Sequence, residues 1–593
     1  MKLPRCLRTI LFAFAPLAAA AADLTHTFAF EGLLPEHKLA LKDIDPQMPS
    51  DWTGYTHLVL EMKTSSPQRF ALWAYTAGGP RRIEIQPFGQ NVWLRASIPL
   101  RYFTGMDSSG TDLASTINRR TDSFWMSVWG PFGDLKSVDA LGFAMQYPIH
   151  RPTLELRHIH LAKQDEGSDF LEGKPVTDEF GQWAHVEYPR KIHRREQLAK
   201  ELADEAKAWG SGDDFGYCEL GGYKSSAGRA KATGFFHVEE IDGTWWFVDP
   251  HGHLFLSTSS NGLGVFRGGG RVGIADATQN TMLDRQSHRL AAWGFNTGGE
   301  GRPNIVFLRW PRTPETTFLG LADVYAENFA RTIDDSAKMQ CESRRNDPLV
   351  IGYFIGNEPP WGDRESEVVN LILAGPDTAT KAKLQEFLAA GDTPKRRVQF
   401  VVDAFAHYLD VVCAAVRKYD PNHMIVGIRF GGKPADQVLR LARVFDVCSI
   451  NVYEYEPTKQ LERAHRLSGR PVLIGEFHIG VPENGLGSGL VQAMNQVERG
   501  KGYRYYVEQA ISLPYCLGAH WFTWRDEPVL GRMDGENYNI GFVDVTDRPY
   551  PELVAAAKAT HARMSDVHAG RIPPFNEKPK ASELGTPSSP WDN

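Results

Sequence analysis

Residues 351–359 read IGYFIGNEP, and residues 472–477 read VLIGEF. In each stretch an apolar run leads directly to a glutamate, Glu358 in the first and Glu476 in the second. Short apolar runs of this kind are typical of strands that are buried on both faces of a parallel sheet. We therefore interpret both stretches as parallel strands that carry a carboxyl group at or near the end of the strand.

An alternation of strand and helix patterns extends on both sides of these two stretches. Strand patterns at 295–299, 317–321, 424–430, 446–453 and 518–524 alternate with helix patterns, of which 398–419 is the longest. Such alternation indicates an α/β fold with a parallel sheet. Because the count comes close to eight units, we predict a (β/α)8 TIM barrel over 235–570, with chemistry at the C-terminal strand ends. A doubly wound open sheet is the alternative fold.

The chain before the predicted barrel has a different pattern. Residues 23–165 contain short alternating runs such as 70–75, separated by turn residues, which is typical of an all-β sandwich. Residues 166–234 form a polar connector, and residues 571–593 are rich in Pro, Ser and charge, which predicts a disordered tail. The sandwich could bind carbohydrate or only pack on its neighbour, and its tryptophans fit either role: Trp52, Trp73, Trp93, Trp125 and Trp129.

The N-terminus and the composition exclude several classes of protein. Residues 1–22 combine a basic start, a short apolar run and small residues, which predicts a signal peptide and a secreted or periplasmic protein. We expect no membrane span, because no other apolar run is long enough. The 593 residues carry a net charge of −7, which disfavours nucleic acid as a partner. The oligomeric state is left open.

The two glutamates are the strongest candidates for chemistry. They are 118 residues apart and would end the fourth and seventh strands, so they would face each other across a barrel mouth. A carboxyl pair across a cleft is what glycosidic bond cleavage requires. The alternative is that each glutamate is a solvated loop acid, which is the usual environment of this residue type.

This chemistry needs no metal and no other cofactor, and two apparent motifs do not change that expectation. The glycines at 268, 270 and 273 match a dinucleotide-binding pattern, but they do not join a strand directly to a helix. His237, His251 and His253 lack the spacing of a known metal motif, and the six cysteines include no CxxC pair.

Several further stretches give the chain a recognisable relationship. The chain resembles the family 50 β-agarases, within clan A of the retaining glycoside hydrolases, and the resemblance covers most of residues 234–564. The matching stretches are GFFHV (234–238), WWFVDP (245–250), GYF (352–354) before Asn357 and Glu358, GEFH (475–478), GAHWF (518–522) and GRMDGENYNIGFVD (531–544).

The resemblance implies roles for individual residues. Glu358 would be the acid/base and Glu476 the nucleophile, with Asn357 on the sugar 2-hydroxyl and Tyr453 donating a hydrogen bond to Glu476. Tyr453 could instead be a packed core residue.

We expect Trp521 to be the stacking floor for a sugar, with core packing as its alternative. His478 is expected to orient substrate or tune Glu476, or to be structural. Weaker substrate-contact candidates at strand ends are Asn261, Asn296, Trp361, Asn451 and Arg525.

The predicted activity is therefore cleavage of β-galactosidic linkages in agarose or agaro-oligosaccharides, with a galactan as the partner. An exo-β-galactosidase of the same clan acting on another galactan is an alternative enzyme. A barrel that only binds glycans is the alternative from another class. Residues 363–395 are expected to form an inserted loop at the cleft.

Overall fold

The computed structural model describes residues 24–105, 118–172, 176–207, 214–264, 279–311, 323–359 and 365–589. The predicted signal peptide, the glycine motif at 268–273, a possible strand at 317–321 and Trp361 lie outside this part of the chain.

The N-terminal part consists of β-strands with two short helices. Its elements are β1 (His26–Ala29), β2 (Glu36–Ala40), α1 (Leu41–Ile44), β3 (His57–Thr64), β4 (Phe70–Thr76), β5 (Gly79–Pro87), β6 (Leu94–Pro99), α2 (Arg101–Thr104), β7 (Asn118–Arg120), β8 (Phe124–Ser127), β9 (Val138–Ala144), β10 (Thr153–Ala162) and β11 (Asp169–Phe170).

These strands form two antiparallel sheets. One has the order β1-β10-β3-β6-β11, and the other has the order β2-β9-β4-β5-β8-β7. Leu72 of β4 lies opposite Ile83 of β5 and Phe143 of β9. These side chains share one buried core with Leu60 and Leu156 of the other sheet. The alternating pattern in the sequence therefore marks which side chains face the space between the sheets.

The rest of the chain alternates helices and strands. Its elements are α3 (Arg195–Lys207), β12 (His237–Ile241), β13 (Thr244–Val248), β14 (Leu254–Phe255), β15 (Ser257–Ser260), α4 (Gln279–Ala292), β16 (Asn304–Phe307), α5 (Phe329–Cys341), β17 (Val350–Phe354), α6 (Glu365–Ala374), α7 (Ala379–Ala389), α8 (Pro394–Tyr419), β18 (Met424–Gly427), α9 (Asp436–Leu441), β19 (Cys448–Asn451), α10 (Thr458–Ser468), β20 (Val472–Phe477), α11 (Gln496–Ile511), β21 (Cys516–Trp521), α12 (Pro551–His561) and α13 (Met564–His568).

The parallel strands β15 to β21 follow one another almost in chain order. One sheet has the order β16-β17-β18, and the other has the order β15-β21-β20-β19. A parallel bridge between Phe430 and Ile450 joins the two sheets beyond β18. The first strand, β15, pairs with the last, β21, and Ser257 lies opposite Gly518. The backbone N–H of Thr297 also donates to the carbonyl of Thr258 in β15, at 3.0 Å.

Helix α8 shows how local sequence and packing agree. Thr393 caps its N-terminus by accepting a hydrogen bond from the N–H of Arg396, and Pro394 occupies the first turn. By length and composition this helix could cross a membrane, but 56% of its apolar window is buried inside the protein. Phe405, Leu409 and other apolar side chains form its buried face. It is therefore packed as a core helix of this fold.

Three expectations from the sequence need correction. The segment 363–395 is not an inserted loop in its described part, because it forms α6, α7 and the start of α8. Residues 571–589 are not a disordered tail, because the N–H of Lys580 donates to Glu498 at 2.8 Å and Ala581 is fully buried. Residues 295–299 form a hydrogen-bonded bend and not a regular strand.

The contact between the first and last parallel strands gives a testable prediction. Gly518 has a φ of +136°, and a Cβ there would lie 2.0 Å from the carbonyl oxygen of Ser257. We expect Gly518→Ala to lower the free energy of unfolding by about 1–3 kcal/mol, because overpacking forces the two strands apart. Urea unfolding followed by tryptophan fluorescence measures the change.

Gly54→Ala is the matched control, because a Cβ at Gly54 meets no atom within 4 Å. Equal stability of the Gly518→Ala variant and the wild type would contradict the tight contact between β15 and β21.

Candidate active site

Glu358 and Glu476 meet at the same end of the parallel strands. Glu358 follows β17, and Glu476 lies in β20 next to β19. Asn451 ends β19, and its Nδ2 donates to Glu358 Oε1 at 2.6 Å. Tyr453, two residues further on, donates its hydroxyl to Glu476 Oε2 at 2.6 Å. Asn451 and Tyr453, at the end of the same strand, thus each donate a hydrogen bond to one of the two carboxyl groups.

A buried arginine, Arg429, pairs with one glutamate and donates to the asparagine next to the other. The sequence analysis did not single out this arginine. Arg429 Nη2 forms an ion pair with Glu476 Oε1 at 2.7 Å, and its Nε donates to Asn357 Oδ1 at 2.8 Å. Its Nη1 donates to Asn261 Oδ1 at 2.7 Å. Arg429 is 5% exposed, so its charge is withdrawn from water and directed at these partners. The sequence does contain a signal for Arg429, because it is a charged residue just beyond the apolar strand β18.

The backbone at Glu358 is shaped by its neighbours. Glu358 has a φ of +41°, a conformation that non-glycine residues adopt uncommonly. A Cβ on Gly431 would lie 2.7 Å from the side chain of Glu358. Gly431 therefore provides the space that the Glu358 carboxyl group occupies.

The two carboxyl groups differ in their electrostatic surroundings. Burial, and then the negative charge of Glu476, raise the pKa of Glu358 to about 7. The hydrogen bond from Asn451 and the charge of Arg429 act in the opposite direction. Glu476 differs from Glu358 in that it forms an ion pair with the Arg429 guanidinium at 2.7 Å. The site thus favours a proton on Glu358, next to a carboxyl group that is paired with a cation.

Tyr453 and His478 pack against each other next to Glu476, with their rings tilted by 56°. Burial, followed by the charges of Glu476 and Glu358, raises the pKa of Tyr453 well above its usual value, so its hydroxyl remains a donor. The His478 ring lies 4.8 Å from the Tyr453 ring. Burial lowers the pKa of His478 to about 3, so its ring is neutral, and its Nε2 accepts from the N–H of Leu490 at 2.8 Å. At 2% exposure, His478 packs under Tyr453 and does not face a substrate.

The prediction that Trp521 is a stacking floor is wrong. Trp521 is 0% exposed, and its Nε1 donates to the carbonyl of Ile540 at 2.7 Å. Phe522, the next residue, is only partly buried and lies near His478 and under the Arg532 guanidinium. Successive side chains along a strand point to opposite sides, so an offset of one residue exchanges a fully buried ring for a partly exposed one.

Two weaker substrate candidates also have structural roles. Asn296 is 1% exposed and donates to the carbonyl groups of Gly221 and Leu256. Arg525 forms an ion pair with Asp547 at 2.9 Å. The prediction for Asn296 is wrong, because its side chain is buried and bonded within the protein. The prediction for Arg525 stays a prediction, because an ion pair does not exclude a substrate contact.

A cavity of about 370 Å³ lies next to two contacts of Arg429, Asn261 and Phe307, and neither glutamate is among its lining residues. Its lining includes Asn261, Phe307 and Phe354. Phe307 also lies under the Arg429 guanidinium, with 4.3 Å from Cζ to the ring centroid. The cavity is therefore continuous with the surroundings of Arg429, and its size is that of a small-molecule site.

One group of metal-ligating residue types occurs among the described residues: Cys218, Asp249 and His253. Asp249 Oδ2 accepts from the Cys218 thiol at 3.1 Å and from His253 Nδ1 at 3.0 Å. Asp249 Oδ1 accepts from the backbone N–H groups of His251 and His253. These bonds occupy the acceptor positions of the carboxylate without an ion.

The arrangement defines a class of active site. A protonated carboxyl group beside a second carboxyl group that pairs with a guanidinium, at the end of parallel strands, is suited to acid catalysis and nucleophilic attack at a glycosidic bond. These features are those that a glycoside hydrolase requires of its active site.

Proteins of similar sequence also belong to the class of glycoside hydrolases. No protein-family model matches the chain. The chain is similar to β-agarase B of Vibrio sp. (strain JT0107), with 23% identity over 91% of this chain and 72% of the relative. It is also 26% identical to β-agarase A of the same organism, over 66% of this chain and 52% of that relative.

Solved structures show the same fold. An exo-β-agarase matches with a TM-score of 0.64 at 23% identity, over 94% of this chain and 99% of that chain. The agarase AgWH50C matches with a TM-score of 0.62 at 22% identity, over 91% and 97%. The resemblance to the family 50 β-agarases is thus confirmed, and the chain is classed as a glycoside hydrolase.

The electrostatic coupling of the two glutamates predicts a titration. We expect Glu358 to titrate at about pH 7. Glu476→Gln removes a negative charge and lowers that pKa, whereas Arg429→Met removes a positive charge and raises it. NMR of the chain labelled at glutamate carboxyl carbons measures both shifts, and Glu358→Gln identifies the resonance. Titration of Glu358 near the ordinary glutamate value of 4.5 in the wild type would contradict the coupling.

Proposed function

We propose that this protein is a retaining glycoside hydrolase that cleaves β-galactosidic linkages in agarose or agaro-oligosaccharides. The observation that carries the proposal is the asymmetric pair: Glu476 bound by Arg429 and Tyr453, and Glu358 with a raised pKa and without an ion pair to Arg429. The similarity to proteins named β-agarases supports the choice of substrate.

The two glutamates have separate tasks in this mechanism. A carboxylate oxygen of Glu476 attacks the anomeric carbon, the bond to the leaving oxygen breaks, and Glu358 gives that oxygen its proton. Glu358, now ionised, then takes a proton from water as the water oxygen displaces Glu476 from the sugar. The sugar leaves with its original anomeric configuration, and both glutamates return to their starting states.

Asn357 and Phe522 are proposed to hold the sugar. The Oδ1 atom of Asn357 accepts from Arg429, which leaves its Nδ2 group as the donor for the sugar 2-hydroxyl. That bond strengthens in the oxocarbenium-like transition state. Phe522 offers a partly exposed ring at the end of β21, on which the C–H face of a sugar could stack.

We infer that the parallel strands close into the (β/α)8 barrel expected from the sequence. The pairing of β15 with β21 and the bridge from Phe430 to Ile450 support closure, since a doubly wound open sheet does not return its last strand to its first. Strand β20 then lies across the barrel mouth from β17, which is where Glu476 and Glu358 are needed.

The N-terminal sandwich offers little exposed aromatic surface for carbohydrate. Trp52 and Trp125 are buried, while Trp73 and Trp93 lie against the guanidinium groups of Arg82 and Arg157. Trp129, at 56% exposure, is the candidate that remains for glycan stacking.

We also propose export, to the periplasm or the medium, on the basis of the signal-like sequence of residues 1–22.

The assignment of the two glutamates predicts distinct effects of their removal. Glu476→Ala should abolish turnover, and added azide should restore some of it with an inverted product, because azide replaces the missing nucleophile. Glu358→Gln should lower kcat by about 10²- to 10⁴-fold through loss of the proton donor. Product NMR over time gives the anomeric configuration. Wild-type release of the inverted anomer would exclude the retaining mechanism.

The substrate is tested by comparing galactans. We expect reducing-end release from agarose and agaro-oligosaccharides, and less from porphyran, carrageenan and a chromogenic β-galactoside. Preferential cleavage of the chromogenic β-galactoside would favour the exo-β-galactosidase alternative. Tight oligosaccharide binding without cleavage, unchanged in Glu358→Gln, would favour a glycan-binding protein.

A further inference from the structure

A segment of the α/β part, residues 527–540, is packed on the N-terminal sandwich. A Cβ on Gly535 would lie 2.6 Å from Trp125, and a Cβ on Gly531 would lie 3.0 Å from Phe88, so the two glycines allow a close approach. Gln86 Nε2 donates to Asn537 Oδ1 at 3.0 Å, and both residues are buried. Contacts with the sandwich therefore hold the 527–540 segment in place.

One contact of this interface involves a charged group. Arg69 immediately precedes β4, and its Nη2 donates to the hydroxyl of Tyr538 at 2.8 Å. The Arg69 guanidinium also lies over the ring of Trp125, 4.7 Å from its centroid. Tyr538 is 0% exposed, so this bond forms away from bulk water, where a charge-assisted hydrogen bond is strong.

Tyr538 continues the contact toward the active site. Its ring packs edge-on against the His478 ring, with 5.9 Å between centroids. His478 lies 4.8 Å from the Tyr453 ring, and Tyr453 donates to Glu476 at 2.6 Å. Each of these rings is buried or largely buried, and close packing lets a displacement of one ring move the next.

We propose that the N-terminal sandwich positions the catalytic carboxylate of Glu476, with Arg69 and Tyr538 as its positioning residues. The proposal rests on the proposed function, in which Glu476 is the nucleophile. Arg69 fixes Tyr538, Tyr538 and His478 set the position of the Tyr453 ring, and the Tyr453 hydroxyl sets the direction of Glu476 Oε2. In this view the sandwich is part of the catalytic framework, whether or not it also binds polysaccharide.

The test compares arginine variants of the full-length protein on an agaro-oligosaccharide that is too short to reach a distant binding surface. Arg69→Met should lower kcat by roughly 10- to 100-fold with little change in KM, because misplacing a reacting group affects chemistry more than binding. Arg69→Lys retains a donor for Tyr538 and should recover most of the loss. Tyr538→Phe removes only the acceptor and should change kcat in the same direction.

Arg120→Met is the matched control. Arg120 also extends from the sandwich to the 527–540 segment, where its Nη2 donates to the carbonyl of Leu530 at 2.8 Å, but it does not bond Tyr538. Its kcat should stay near that of the wild type. Equal losses of kcat in Arg69→Met and Arg120→Met, or no rescue by Arg69→Lys, would overturn the proposal.

Crystal structures of the same variants test the proposal independently of activity. In Arg69→Met the distance between the Tyr453 hydroxyl and Glu476 Oε2 should exceed about 3.5 Å, the limit of a hydrogen bond, whereas Arg120→Met should retain the bond. If the wild type cleaves no galactan, the proposed function fails. The positioning proposal then still depends on this distance, and an unchanged bond in Arg69→Met refutes it.

Discussion

The ion pair between Arg429 and Glu476 is the interaction on which the rest of the site depends. Two carboxyl groups share a buried cleft, and their mutual repulsion disfavours ionisation of both. The Arg429 guanidinium forms an ion pair with only one of them, Glu476, at 2.7 Å. Burial and the charge of Glu476 raise the pKa of Glu358 to about 7. The two chemically identical groups therefore have different surroundings, which is what the proposed roles of nucleophile and acid require.

A buried guanidinium is tolerated only where its donors are matched. Arg429 directs its nitrogens to Glu476, Asn357 and Asn261, and its flat face lies on Phe307. Removing one member of such a pair leaves the other charge uncompensated, which typically costs about 3–5 kcal/mol. The same bonds also orient the Asn357 amide next to Glu358, so the stability of this buried cluster and the position of Asn357 depend on the same arginine.

The sandwich adds a second constraint from outside the strands that carry the glutamates. Strand ends fix the backbone near Glu476, but the direction of its carboxylate also depends on Tyr453 and the rings behind it. Those rings are backed by Tyr538, which Arg69 of the sandwich holds. The two parts of the chain are therefore joined by contacts that reach from the sandwich to Glu476.

The sequence by itself determined the positions of Glu358 and Glu476, because an apolar strand that ends in an acid is a local pattern. It also determined the antiparallel and parallel halves and the resemblance to β-agarases, since both follow from patterns along the chain. Only the tertiary structure decided that Arg429 pairs with Glu476, that Trp521 is fully buried whereas Phe522 is only partly buried, and that residues 571–589 are packed. Each of these depends on partners far away in the sequence. The residues next to Arg429, Phe522 or the proline-rich segment 571–589 in the sequence do not indicate which distant residues these groups contact in the folded protein.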